Sequence, residues 1–163
     1  MLRPASLPSD VPGKLFLYAM PGRYESWAVS RDTISQQGIH RVVSLASLKE
    51  IQKKSPSYAQ AVESGDLPWA QCFFPVPDFG VPEDRGAFLD LARSVADSLR
   101  EGERVLIHCG AGIGRTGTLA VCVLMALGMG KEESYQAVRN AGSNPETSEQ
   151  EELVEWVAVE LGV

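Results

Sequence analysis

The chain has 163 residues, 44% of them hydrophobic and 22% charged, which predicts one folded domain with its own core and excludes a disordered, collagen-like or disulfide-stapled chain. Lys and Arg total 15 against 21 Asp and Glu, a formal charge of -6; the molecule as a whole repels polyanions, so neither nucleic acid nor a membrane surface is expected as a partner. The three cysteines, Cys72, Cys109 and Cys122, are odd in number and lack any C-x-x-C pair, which argues against structural zinc and for a reducing, cytoplasmic setting.

Residues 1–13 carry Pro4, Pro8 and Pro12 with little hydrophobic pattern, and are expected to be a loosely held lead-in to a single domain over 14–163. Leu15 to Met20 reads as a strand and is too short for the apolar core of a signal peptide. The β-branched run Arg41 to Leu45 reads as a second strand, with Ser30 as the expected N-cap of a short intervening helix that ends at Gly38. A strand over Gln71 to Val76 leads into a proline-rich loop. Phe88, Leu91, Ala92, Val95 and Leu99 then recur at helical spacing within Glu83 to Arg100, before Gly102. Arg104 to His108 is again a strand, and the alternation predicts an α/β fold, a central, mostly parallel twisted sheet flanked by helices.

The second half reads as helical. Leu119 to Leu127 is apolar at every position, the pattern of a helix buried on all sides. Residues 131–140 form a more polar helix closed by Gly142, and Ser148 with Glu151 is read as the capping box that opens the last one. The six glutamates between 146 and 160 are read as a solvated face.

Chemistry concentrates where the last strand meets the buried helix, at His108-Cys109-Gly110-Ala111-Gly112-Ile113-Gly114-Arg115-Thr116-Gly117. A Walker A loop needs a lysine, and none occurs between Arg104 and Lys131. Gly112, Gly114 and Gly117 satisfy G-x-G-x-x-G, but no second strand follows, and Arg115 occupies the turn where a pyrophosphate needs room. The spacing Cys109-x5-Arg115 fits better. Gly110, Ala111, Gly112, Ile113 and Gly114 can turn successive N–H groups inward as an anion-binding nest, reinforced by the helix dipole. The same field stabilises a thiolate at Cys109; such thiolates have pKa values of about 3.5 to 7.5. Arg115 offers a planar fork to two phosphate oxygens, and Thr116 has a hydroxyl to donate to the departing sulfur. Expulsion of an alkoxide or phenoxide needs a proton donor. Asp78, just beyond the strand end and held by Pro77, is the expected general acid, while Glu83 and Asp84 suit the first turn of the following helix.

These motifs, together with Met20-Pro21-Gly22-Arg23, Gly38 to Leu45, Pro77-Asp78-Phe79 and Glu146-Thr147-Ser148-Glu149-Gln150, resemble the cysteine-based protein phosphatases, and among them the small atypical dual-specificity phosphatases. The resemblance spans most of the chain. It implies a protein-tyrosine-phosphatase-like fold, Cys109 as nucleophile, Arg115 as phosphate ligand, Asp78 as general acid and His108 as a residue that orders the loop. Glu146 falls where larger tyrosine-specific members have a water-orienting glutamine. No metal or organic cofactor is implied, and the expected partner is a phosphoprotein or phosphopeptide bound by a monomer. Many relatives have arginine and proline ahead of the Glu146 loop where this chain has Asn140-Ala141-Gly142-Ser143-Asn144-Pro145, so a secondary phosphate or loop contact is expected to be missing. Gly110 and Ile113 stand where phosphoinositide-specific relatives place lysines, which disfavours phosphoinositide, inositol phosphate or RNA 5′-phosphate as substrate. A catalytically silent phosphoprotein-binding module is the rival from another class, and retention of both nucleophile and acid speaks against it. Cys72 and Cys122 read as packing residues, Lys49, Lys53 and Lys54 as an ordinary exposed helix face, and Trp27, Trp69 and Trp156 as core or rim aromatics.

Overall fold

The computed structural model describes residues 1–163. In chain order the elements are β1 (Arg3–Ala5), β2 (Lys14–Tyr18), α1 (Trp27–Gln36), β3 (Arg41–Ser44), α2 (Leu48–Lys54), α3 (Pro56–Ser64), β4 (Ala70–Phe73), α4 (Arg85–Arg100), β5 (Arg104–His108), α5 (Gly114–Ala126), α6 (Lys131–Asn140) and α7 (Ser148–Leu161). The sheet runs β1-β2-β5-β3-β4, with β1 antiparallel to β2 and every other neighbour parallel. This is the mostly parallel α/β sheet expected from the alternation of strands and helices.

Strand residues are apolar at consecutive positions because both faces are covered. Leu15, Leu17, Val43, Val105 and Ile107 join one large core with α4, α5, α6 and α7. Phe16, Tyr18, Val42 and Leu106 point the other way and pack with Ile34 of α1, Ile39 and Trp69. A third cluster under α2 and α3 contains Met20, Ala46, Ile51 and Tyr58. Helix α5 crosses the large core with every residue from Gly114 to Met125 buried, so each Leu or Val there contributes about 1.5–3 kcal/mol by leaving water. None of the helices is long and apolar enough to cross a membrane.

Several boundaries differ from the sequence expectations. The 1–13 segment is not merely a loose lead-in: Arg3–Ala5 pairs with Leu15–Leu17, and Ala5 is part of the large core. Proline lacks an N–H and is tolerated at sheet edges; Pro4 occupies such an edge, so the composition that reads as a loop is also that of an edge strand. Helix α1 is capped by Ser26, whose side chain accepts from Val29 N–H. Ser30 lies inside that helix, its hydroxyl accepting from Gly22 N–H at 2.9 Å, so a side chain that suits a cap serves a tertiary contact instead. Helix α7 is capped by Thr147, one residue before the expected Ser148. Helix α4 begins after Asp84, which is its N-cap, accepting from Ala87 N–H at 3.0 Å. Helix α3, with Pro56 in its first turn and left-handed Gly65 as its C-cap, had no counterpart in the sequence reading.

Candidate active site

Four parallel strands end at one side of the sheet, and the segments that follow them supply the site: Arg23 after β2, Glu50 after β3, Asp78 after β4 and the Cys109 to Arg115 loop after β5. Crevices beyond the carboxyl ends of parallel strands are where α/β folds bind ligands. A methyl group on Gly110 would lie 3.1 Å from both Arg23 Nη1 and Glu50 Oε2 and 3.2 Å from Arg115 Nη2. Three charged heads therefore surround a single backbone position.

Cys109 is buried, and its Sγ accepts from Gly112 N–H at 3.3 Å. Gly112 has φ +76°, and a Cβ there would stand 2.4 Å from Tyr18 O; both the left-handed backbone and the contact with β2 demand glycine. Ala111 and Ile113 are exposed while Gly110, Gly112 and Gly114 are buried, so the loop presents small apolar side chains to solvent and keeps its glycines against the fold. Helix α5 starts at Gly114 with no side-chain cap, which leaves its first N–H groups for an anion.

Arg115 is held on both sides of its fork. Its Nη1 and Nη2 donate to Glu50 Oε1 and Oε2, each at 2.9 Å, and Nη1 also donates to Val76 O at 2.9 Å. Asp78 Oδ1 lies 3.3 Å from Nη2. Hydrogen bonds from Arg115, with help from Lys54 against the cost of burial, hold the Glu50 carboxyl at a pKa of about 2. Burial opposes the charge on Arg115, but Glu50 outweighs it and keeps the guanidinium above its ordinary value. Glu50 is the site residue that sequence reasoning missed: Ser47-x-x-Glu50 is a capping-box spacing, so its local signal points to a helix end. Lys54 also departs from the expected exposed helix face; its Nζ is 2.9 Å from Glu50 Oε2 and 4.0 Å from Asp78 Oδ2. Lys49 and Lys53 are exposed.

Beneath the loop His108 is fully buried. Its Nδ1 faces Cys109 O at 3.0 Å; a carbonyl only accepts, so Nδ1 carries the proton. Burial holds its pKa down at about 4, against the partial support of the Cys109 carbonyl. The ring is thus neutral at physiological pH, and Nε2 accepts from Tyr58 O–H at 2.8 Å. Tyr58 accepts in turn from Gln71 Nε2 at 2.8 Å, and Gln71 Oε1 from Trp69 Nε1 at 2.9 Å. Trp27 stacks on Tyr58 with ring centroids 5.3 Å apart. Because the unfolded chain protonates His108 near pH 6.5 and the folded one only near 4, stability conferred by the neutral ring is complete above pH 6.5. It is lost as the pH falls through that window, at up to about 1.4 kcal/mol per unit. Glu50 adds to the loss only below its ordinary value of 4.5. Urea denaturation at pH 7, 6 and 5 should show a declining midpoint; a flat profile between 7 and 5 contradicts a buried neutral His108.

The acid loop is pinned at both ends of its turn. Gly80 N–H donates to Pro77 O at 2.8 Å, and between them Phe79 has φ 61°, a left-handed conformation that costs a non-glycine residue about 1–3 kcal/mol. Buried Gln150 donates to Gly80 O at 3.1 Å and accepts from Glu146 N–H at 2.8 Å, so one amide ties the acid loop to the Glu146 segment. The Glu146 side chain lies over Gly114, where any Cβ would collide with its Oε1. Thr116 is placed differently from expectation: its Oγ1 is buried without a hydrogen-bond partner, and the donor on the Cys109 sulfur is the Gly112 amide. Cys122 sits inside α5, where burial pushes its thiol far above the ordinary range, as a packing residue requires.

A model of the family described as PTP-SAK, "Swiss Army Knife protein, DSP-PTPase phosphatase domain", matches residues 11–156. The protein 067L of Invertebrate iridescent virus 3, which carries the name of a tyrosine phosphatase, is 30% identical over 125 residues, 74% of this chain and 48% of the viral one. The chain thus matches about half the length of that relative. Among solved structures, Tk-PTP in its active form superimposes with a TM-score of 0.65 at 27% identity, covering 91% of this chain and 96% of the other. Kinase associated phosphatase, in a form with its catalytic cysteine replaced by serine, gives a TM-score of 0.83 at 19% identity over 100% and 96% of the two chains, a likeness of fold. With the family match running from residue 11 to residue 156, the chain belongs to the DSP-PTPase phosphatase domains of the cysteine-based phosphatase superfamily.

Proposed function

We propose that the chain hydrolyses phosphomonoesters through a cysteinyl-phosphate intermediate, on phosphotyrosine and other phosphorylated side chains of proteins. The Cys109 sulfur attacks phosphorus, forming an S–P bond as the bond to the leaving oxygen breaks, and Asp78 gives that oxygen a proton. Water then attacks the phosphocysteine, the S–P bond breaks, and the Asp78 carboxylate takes the proton from the water. Apart from Gly112, whose amide serves the sulfur, the N–H groups of the Gly110 to Gly114 loop and the Arg115 fork bear the charge on the phosphoryl oxygens throughout.

The observation that carries this reading is the constellation itself. A buried sulfur touches the Gly112 amide at 3.3 Å, and a guanidinium fixed by Glu50 reaches Asp78 at 3.3 Å. Asp78 and Glu50 share Arg115. A phosphate bound to the Arg115 fork takes over the Asp78 contact and leaves that carboxyl free to turn to the leaving oxygen. Exposed Phe79 and Ile113, with Tyr24 next to Arg23, offer apolar surface for the leaving group, and the loop carries no lysine for a polyphosphorylated headgroup. The test is hydrolysis of an aryl phosphate and of phosphopeptides in the presence of chelator, with inhibition by vanadate. Activity that appears only with added metal ion, or only on inositol lipids, overturns the reading.

A further inference from the structure

Arg3 and Ala5 face the same side of β1, opposite Leu17 and Leu15 of β2, so β1 carries the Arg3 side chain toward the large core. Its guanidinium does not meet a carboxylate; the closest contacts are backbone and a hydroxyl. Nη1 donates to Ala141 O at 2.7 Å and to Ser143 Oγ at 3.0 Å, and Nη2 donates to Gly112 O at 2.7 Å. Ser143 Oγ donates to the same Gly112 O at 2.6 Å. Residue 142 is a glycine with φ +86°, and a Cβ there would stand 2.8 Å from Nη1, so a larger residue would push the guanidinium aside.

Resting on the phosphate-loop reading above, we infer that Arg3 is a positioning residue of the active site: with Ser143 it fixes the Gly112–Ile113 peptide so that the Ile113 amide faces the bound phosphate. A trans peptide directs its C=O and N–H to opposite sides, and the chain has no cis bonds. Two donors behind the loop therefore hold the Gly112 carbonyl outward and its partner N–H inward. The Gly112 amide, one peptide earlier, is already committed to the Cys109 sulfur, so the Ile113 amide is the next one along the loop that can serve a phosphoryl oxygen. Burial lowers the Arg3 pKa, an effect that its proximity to Cys109 opposes. The Asn140 to Pro145 segment, where a phosphate or loop contact was expected to be missing, is thus tied to the Gly112 turn by a residue from the opposite end of the chain.

The inference is tested by titrating inorganic phosphate into 15N-labelled protein, following the Ile113 amide signal and the Kd, and by aryl phosphate kinetics. The variants are Arg3→Gln, Arg3→Lys, Ser143→Ala and the Gln/Ala double. Each of Arg3→Gln and Ser143→Ala should weaken phosphate about three- to tenfold and shrink the Ile113 shift, with kcat falling in parallel. The double should lose more than the product of the two, since each donor backs up the other. Lysine should restore part of the affinity through its charge, without the fork. Should the Arg3 variants not fold, Ser143→Ala, which deletes a single oxygen, decides. A set of folded variants that all bind phosphate within twofold of the parent, with the Ile113 shift intact, overturns the inference. A parent that binds phosphate at Ile113 but hydrolyses nothing overturns the proposed function and leaves this inference standing; a parent that binds no phosphate overturns both.

Discussion

Cys109→Ser should abolish turnover, lowering kcat by about 10⁴-fold or more, because an alcohol in this position is neither ionised nor a good leaving group in the second step. Phosphate affinity should change far less. The oxygen remains beside the Gly112 amide, Arg115 keeps its three hydrogen bonds to Glu50 and Val76, and the glycine turn at Gly112 is set by its close approach to Tyr18 O. The measurement pairs steady-state kinetics on an aryl phosphate with a phosphate titration of the variant. In the parent, acid quenching during turnover should leave one phosphoryl group on Cys109, detected by peptide mass. Substantial residual turnover in the serine variant, or a phosphoryl group found on another side chain, removes Cys109 from its role as nucleophile.

Asp78→Asn should lower kcat by about 10² to 10⁴ on substrates with poor leaving groups, the ordinary worth of a general acid, with much less effect on activated aryl esters that leave without a proton. Asparagine keeps the shape and can still lie beside Arg115, so the fold and the phosphate pocket should survive. Because Asp78 is half-exposed and only 3.3 Å from Arg115, the variant also removes an anion that competes with substrate, and KM should hold steady or fall while kcat drops. Equal losses on good and poor leaving groups would show that another residue provides the proton, with Glu146 above Gly114 as the next candidate.

Residues whose chemistry is written in consecutive positions were legible without coordinates. Cys109 to Arg115 lies on one loop, and the strand before it and the apolar helix after it carry their own periodicity, so the strand, the glycine turn and the buried helix could be read together. Asp78 followed from where parallel strands must deliver their ligands. Glu50 and Arg3 could not be read this way, because their partners lie 65 and 109 positions away and their local surroundings suit a helix cap and a proline-rich tail. Ser30 and Thr116 fail for a related reason. A small hydroxyl side chain fits a cap, a turn or a catalytic relay equally well in sequence, and only the packing of α1 under the Gly22 loop, or of α5 in the core, selects among them.

The chain of donors from Trp69 through Gln71 and Tyr58 to His108 runs in one sense only, since it begins at an indole that cannot accept and ends at a carbonyl that cannot donate. Its polarity is therefore fixed by composition and not by thermal choice. The imidazole beneath Cys109 is held in one tautomer from both ends, by the carbonyl it touches and by a relay that starts at an indole beside an edge strand of the sheet.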